Sequence, residues 1–291
     1  MNNSIVNFTT PDTSTNTTMD SFDLITRMCV SSFSFLVGLP THSYVIWLII
    51  KGTGGVASEF FNLNFSLCEI GNCLKGLFVL LSFWFSSLKT LSQILQGLSI
   101  TGRPLFQCLM CVERYLAVVH PVTFLKYKPL RYRVICSTAV WIITFGSCLL
   151  CLLILLSFAI SIYNWFFLMQ FLLFFSIQLF CLVAVLRALK QSGPGERGRE
   201  REEENPMKRK AFYLILITTV SMAIIYVPYT VTGFIVILTE RHFPVLWFTS
   251  VFCYVLAGFV QPVLFLGHVG KLPLFSKKLV KVSNCNVNNI K

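Results

Sequence analysis

The chain has 291 residues, 55% of them hydrophobic and 12% charged, with a mean hydropathy of +0.72 and a formal net charge of +12. So little polar surface cannot cover a soluble globule, and lipid is the solvent that this composition demands. No phosphate-cradling glycine loop, metal-ligand spacing or Ser-His-Asp or Cys-His pair on one membrane face occurs in the sequence, so neither an enzyme nor a metal or cofactor is expected.

Residues 1–27 form an Asn-, Thr- and Ser-rich tail with glycosylation sequons at Asn2, Asn7 and Asn16, which are modified only on the lumenal side. No basic stretch with a short apolar region precedes these sequons, so the first apolar segment is expected to be a membrane anchor rather than a cleaved signal. A helix crosses the hydrocarbon core with about 20 mainly apolar residues. Seven such stretches follow: Met28 to Ile50, Phe60 to Phe83, Leu91 to Val119, Val134 to Phe158, Trp165 to Leu189, Ala211 to Leu238 and Val245 to Gly267, all within residues 28–268. Unbroken apolar runs such as Cys148 to Phe158 exclude the alternation of a β-barrel. The predicted fold is an all-α membrane protein, a seven-transmembrane helix bundle.

Residues 190–210, between the fifth and sixth spans, carry Gln-Ser-Gly-Pro-Gly and then mixed charge between helix breakers, and read as a disordered loop. After the seventh span, residues 269–291 alternate apolar and basic side chains (Leu274, Phe275, Lys277, Lys278, Leu279, Lys281, Val282), the pattern of a short amphipathic helix on the inner leaflet. Cys285 just beyond it is a candidate for palmitoylation, with a free thiol as the alternative. The other ten cysteines fall within apolar segments and read as small buried hydrophobes, the Cys108-x-x-Cys111 spacing included. A fourth sequon, Asn64-Phe65-Ser66, lies inside the second span and should stay unmodified.

Of the 24 basic residues, all but Arg27, Lys75, Lys89, Arg103 and Arg241 fall, with Arg114 and Arg187 at the span ends counted, in the segments after spans one, three, five and seven. Basic residues are retained on the cytoplasmic side, so the N-terminus is expected outside and the C-terminus inside a plasma-membrane protein. The charge suits anionic membrane lipids or a cytoplasmic partner and not nucleic acid.

At the end of the third span, Glu113-Arg114-Tyr115-Leu116-Ala117-Val118-Val119-His120-Pro121 resembles the acidic-Arg-Tyr signature of rhodopsin-like G-protein-coupled receptors. Trp141, Pro228 in Tyr226-Val227-Pro228-Tyr229, and Pro262 in Gln261-Pro262-Val263-Leu264-Phe265 stand where that family has its landmarks. The wording of the loops and sixth span is similar to the nucleotide, lipid and protease-activated receptor branch, although Thr230 and Gly233 replace the His and Arg of nucleotide receptors. The resemblance implies a cell-surface receptor passing an unidentified extracellular ligand's signal to a heterotrimeric G-protein. Arg114 would be the switch, paired with Glu113 at rest and released when the sixth helix moves outward. Val122, Phe124, Lys126, Lys208, Arg209 and Lys210 would form the G-protein contact. A receptor-like partner that does not signal is the alternative; a transporter would need a polar lumen or inverted repeats.

The chain departs from the family pattern at His42, Glu69, Tyr226, Gln261 and Phe265, which replace Asn, Asp, Trp, Asn and Tyr respectively. The family's extracellular disulfide has no counterpart, because Ser87-Leu88-Lys89-Thr90 and the loop from Ser157 to Asn164 lack Cys. For the ligand, Lys75, Lys89, Gln93, Gln96, Tyr229, Thr230 and Tyr254 are the pocket candidates, interhelical hydrogen bonds being the alternative role for the polar ones. No Asp stands at the Gln96 level, which disfavours an amine; Lys75 and Lys89 tilt toward an anionic or lipid-like molecule. Aligned on Arg114 and Pro262, Glu69, Arg103 and Gln261 occupy the positions that hold a sodium ion in the family. Isolated charges at that depth cost about 2.5–3.5 kcal/mol on insertion scales, so Glu69 and Arg103 are expected to pair, with Gln261 or His42 meeting the remaining donors and acceptors.

Topology is tested on intact cells. Glycosidase should shift the mass through Asn2, Asn7 or Asn16, and external protease should remove only the segment before Met28. A C-terminal tag accessible from outside would overturn the orientation.

Overall fold

The computed structural model describes residues 14–52, 59–127, 130–157, 160–191, 198–239 and 243–268, and no strand occurs among them. The first span consists of α1 (Ser14–Phe33) and α2 (Leu39–Lys51) joined through a π turn, Ser34–Gly38. The second is α3 (Phe60–Leu81). The third is composite: α4 (Ser87–Ile94), a π turn at Leu98–Gly102, then α5 (Arg103–Val119). A short α6 (Pro121–Tyr127) leads to α7 (Leu130–Leu156), α8 (Ile160–Gln191) and α9 (Gly198–Thr239), the fourth to sixth spans. The seventh is α10 (Pro244–Leu256), a 3-10 turn at Ala257–Phe259 and α11 (Val260–His268).

Proline accounts for the interruptions. A helical proline lacks its N–H and presses on the carbonyl four residues earlier, widening or breaking the turn before it. Both π turns end two residues before one, Pro40 and Pro104, and the 3-10 turn ends three residues before Pro262. Two helices extend past their predicted starts. Nothing between Asp12 and Val37 is Gly or Pro, so α1 begins at Ser14 and includes Asn16. The segment expected to be disordered is helical from Gly198 onward, where Arg199 and Glu203, and Glu204 and Lys208, stand at the i,i+4 spacing that supports a helix. The amphipathic segment 269–291 lies outside the described residues.

Six helical segments are long and apolar enough to cross a membrane, and the third span is not among them. Its position explains why. It packs against the second, fourth, fifth and sixth spans, and every residue from Leu98 to Pro104 is buried. A helix enclosed by other helices does not meet lipid, so its side chains can be polar. The apolar surface lies instead on the outer spans, where Ile142, Phe145, Leu149, Leu153, Leu173 and Phe180 are exposed, as a lipid-facing wall requires. The structure is a helical membrane bundle, as the sequence predicts.

Close contact between the third and fourth spans depends on one glycine. A Cβ on Gly97 would lie 2.5 Å from the Cys148 backbone nitrogen and 2.6 Å from its Cα, whereas one on Gly146 would meet nothing within 4 Å. Small residues let membrane helices approach in this way. Gly97→Ala should therefore lower the melting temperature of the purified protein in nanodiscs by several degrees, the effect of about 1–3 kcal/mol of overpacking. Gly146→Ala should leave it unchanged. Equal melting temperatures for the two variants would contradict the packing described.

Candidate functional site

Polar residues on the second and third spans follow helical spacing: Glu69, Asn72 and Lys75 on one, Gln96, Ser99 and Arg103 on the other. Residues three and four apart share a face, so each set forms a stripe. The structure sets the two stripes against each other. Tyr163, at the start of the fifth span, is hydrogen-bonded by Gln96 Nε2 at 2.9 Å. Lys75 Nζ donates to Gln96 Oε1 at 3.1 Å and to Ser99 Oγ at 2.8 Å. Ser99 donates in turn to Asn72 Oδ1 at 2.6 Å, and Asn72 Nδ2 to Glu69 Oε1 at 3.2 Å.

The chain of bonds ends on a buried ion pair. Arg103 Nε and Nη2 donate to Glu69 Oε1 and Oε2 at 2.6 and 2.7 Å, with both residues no more than 3% exposed. This is the two-pronged geometry in which guanidinium and carboxylate fit best. Nη1 donates to the Tyr254 carbonyl at 2.8 Å, and the guanidinium lies 4.5 Å from the Tyr254 ring centre. Gly258 leaves the necessary room: a Cβ there would come within 3.1 Å of Glu69 Oε2 and 3.2 Å of Arg103 Nη2.

Neither of the expected helpers hydrogen-bonds to this pair. Gln261, three residues past Gly258, donates to Thr218 Oγ1 on the sixth span at 3.1 Å. His42 is wedged between the rings of Phe65 and Phe259, and its Nδ1 has no hydrogen-bond partner. The Tyr254 carbonyl of the seventh span takes their place.

Beside the network lies a cavity of about 270 Å³. Of the predicted pocket residues, Lys75, Gln93, Gln96, Tyr229 and Tyr254 line it. Lys89 is exposed on α4 and Thr230 Oγ1 is buried without a partner; neither lines the cavity. Sequence reasoning missed Arg27, Asn72, Ser99 and Phe167 in the wall. The spacing of Asn72 from Lys75 and of Ser99 from Gln96 was the available signal for two of them. Fully buried Tyr226 stacks on Phe167 and Phe171, with ring centres 5.1 and 5.5 Å away. Ser250 Oγ donates to the Pro228 carbonyl at 3.1 Å, joining the seventh span to the sixth, and Phe265 packs against Val45, Leu48 and Ile49 of the first.

At the opposite end of the third span the expected Glu113–Arg114 pair does not form. Glu113 is bound by Arg133 of the fourth span, and Arg114 Nη1 is buried without a hydrogen-bond partner. Adjacent helix residues point about 100° apart, so Glu113 and Arg114 cannot face each other as partners on separate helices can. Tyr115 Oη lies 3.1 Å from His120 Nε2 and its ring meets Phe180 edge-on. On α6, Val122 is 81% exposed and Phe124 half-buried. Lys208, Arg209, Lys210 and Asn16 fall on described helices, but the placement of their side chains lies outside the description; Asn2, Asn7 and Cys285 lie outside it entirely. The ten described cysteines are free.

No protein-family model matches the chain. Individual relatives do. It is 27% identical to mouse (Mus musculus) chemokine XC receptor 1 over 234 residues, covering 74% of this chain and 68% of that one. To human (Homo sapiens) chemokine XC receptor 1 it is 29% identical over 57% of this chain and 54% of the other. It is 31% identical to human C-C chemokine receptor type 8 over 47% of this chain and 41% of that receptor. These similarities support the likeness to the rhodopsin-like G-protein-coupled receptors that the third-span motif carries. The receptor is accordingly a multi-pass membrane protein and not an enzyme. These three relatives are named for chemokines, and not for the nucleotide, lipid or protease ligands of the branch to which the loops were likened.

The ion pair of this receptor is open to a mutant cycle. Glu69→Gln and Arg103→Met should each destabilise by about 3–5 kcal/mol, because each leaves an unpaired buried charge, whereas the double change should be far milder. Melting temperature and surface expression report both, with sodium or choline as the salt cation. Additive single effects, or stabilisation of the wild type by sodium, would reject a pair that occupies the ion's place.

Proposed function

We propose that this receptor carries an extracellular signal to a heterotrimeric G-protein, with its N-terminus outside, its C-terminus in the cytoplasm, and Arg114 as the switch. The observation that carries the reading is the Glu113-Arg114-Tyr115 sequence at the end of the third span, with Glu113 held by Arg133 and Arg114 left without that partner. Outward motion of the sixth helix would expose Arg114 to the G-protein. Exposed Val122 on α6, with Phe124 and the basic run Lys208 to Lys210, would complete the contact. Arg133 then takes the restraining role first assigned to a neighbouring pair, and holds the third span to the fourth until activation.

The relatives are named as chemokine receptors, which supports an extracellular ligand without specifying it here. The basic lining of the cavity supports an anionic or lipid-like molecule.

Second-messenger output in transfected cells, measured for every G-protein class at matched surface expression, tests the switch. Wild type should signal above mock-transfected cells. Arg114→Ala should abolish that signal, and Arg133→Ala, which frees Glu113, should raise it. A basal signal unchanged by Arg114→Ala would overturn the assignment, and no signal in any class would favour the non-signalling partner.

A further inference from the structure

Lys75 differs from Arg103 in one respect. Arg103 has its carboxylate, whereas Lys75 donates to the neutral oxygens of Gln96 and Ser99, with the Tyr254 ring centre 5.8 Å from its Nζ. No carboxylate pairs with Lys75 among the described residues. A cation at membrane depth without a counter-charge is costly, and charged residues in such positions pair or face a cavity. Lys75 lines the 270 Å³ cavity, and no Asp or Glu is among the residues that line it. The lining also includes apolar and aromatic side chains, among them Leu155, Phe167, Tyr229 and Val251.

We propose that the cavity is the binding site of a small organic anion, whose carboxylate or phosphate group pairs with Lys75 and whose apolar body lies against Phe167 and Tyr229. The inference deepens the receptor reading by assigning its ligand a chemical class, and rests on that reading for its physiological meaning. Three features support it beyond charge. Tyr163 and Asn72 each hold one of the groups bonded to Lys75, so the ammonium is positioned before any ligand arrives. Preorganisation of that kind reduces the ordering that binding requires. The volume lies just below the usual range for pockets that take drug-sized molecules, which suits a compact acid. An acid entering here would supply the counter-charge that Lys75 lacks, forming a bond with both partners ionised, stronger than its present bonds to neutral acceptors.

Four probes with similar aromatic bodies test the site on the purified receptor in nanodiscs: 3-phenylpropionate, phenyl phosphate, 3-phenylpropanol and 3-phenylpropylamine. Binding should raise the melting temperature with at least one of the two acids and not with the alcohol or amine, and the better acid names the head group. Lys75→Gln should weaken that acid about tenfold or more, while Lys75→Arg, which keeps the charge, should largely retain it. Shifts no larger for the acids than for the alcohol would overturn the proposal, and so would equal affinity in wild type and Lys75→Gln. The wild-type probe comparison stands even where a variant folds poorly. Failure here together with Arg114-dependent basal signalling would reject the anion site alone; failure of both would reject the receptor reading as well.

Discussion

A carboxylate and a guanidinium facing each other in the middle of the bundle govern the arrangement around them. Neither Glu69 nor Arg103 can be exposed to lipid, so the second and third spans must meet along these stripes, and register is set to within a residue by the two parallel hydrogen bonds. The seventh span has to approach closely enough to offer the Tyr254 carbonyl, and Gly258 leaves room for that approach. Stability is not the strongest reason for such a pair, since apolar replacements are often as stable; its distinctive effect is to exclude other packings.

The same pair is one end of a continuous hydrogen-bonded path through Asn72, Ser99 and Lys75 to Gln96 and Tyr163. Any group that draws the Lys75 ammonium away from Ser99 alters the bonding of Asn72, and hence that of Glu69. The cavity wall and the buried charges are therefore parts of one polar structure, and the aromatic stack of Tyr226 on Phe167 and Phe171 borders both.

Length and hydropathy made the bundle legible, because a span is a long apolar run and needs no partner to be recognised. The pairing of Glu69 with Arg103 could be anticipated from equal depth, about 1.5 Å of rise per residue from a common reference. Which third group would join them could not, since a backbone carbonyl such as that of Tyr254 carries no mark in sequence and Gln261 and His42 were the visible candidates. The Glu113 contact failed differently. Neighbours in sequence drew attention, whereas the partner that geometry permits, Arg133, lies on another helix. Lys89 lies apart from the cavity because it sits on the short α4, before the turn that brings Gln96 and Ser99 round to Lys75. The break itself was signalled by Gly97, Gly102 and Pro104, three residues that an apolar-run reading counts as ordinary.

The buried, broken third span bears on how the protein is made. A segment carrying Gln96, Arg103, Gln107, Glu113 and Arg114 is too polar to leave the translocon for lipid alone, where a central arginine is opposed by about 2.5–3.5 kcal/mol. Its entry is favoured by pairing with the second span, already made, which brings Glu69, and with the fourth, which brings Arg133. Biogenesis is then a concerted event for three consecutive helices, held in the protein-lined channel until their charges are neutralised, and the outer apolar helices can partition one at a time.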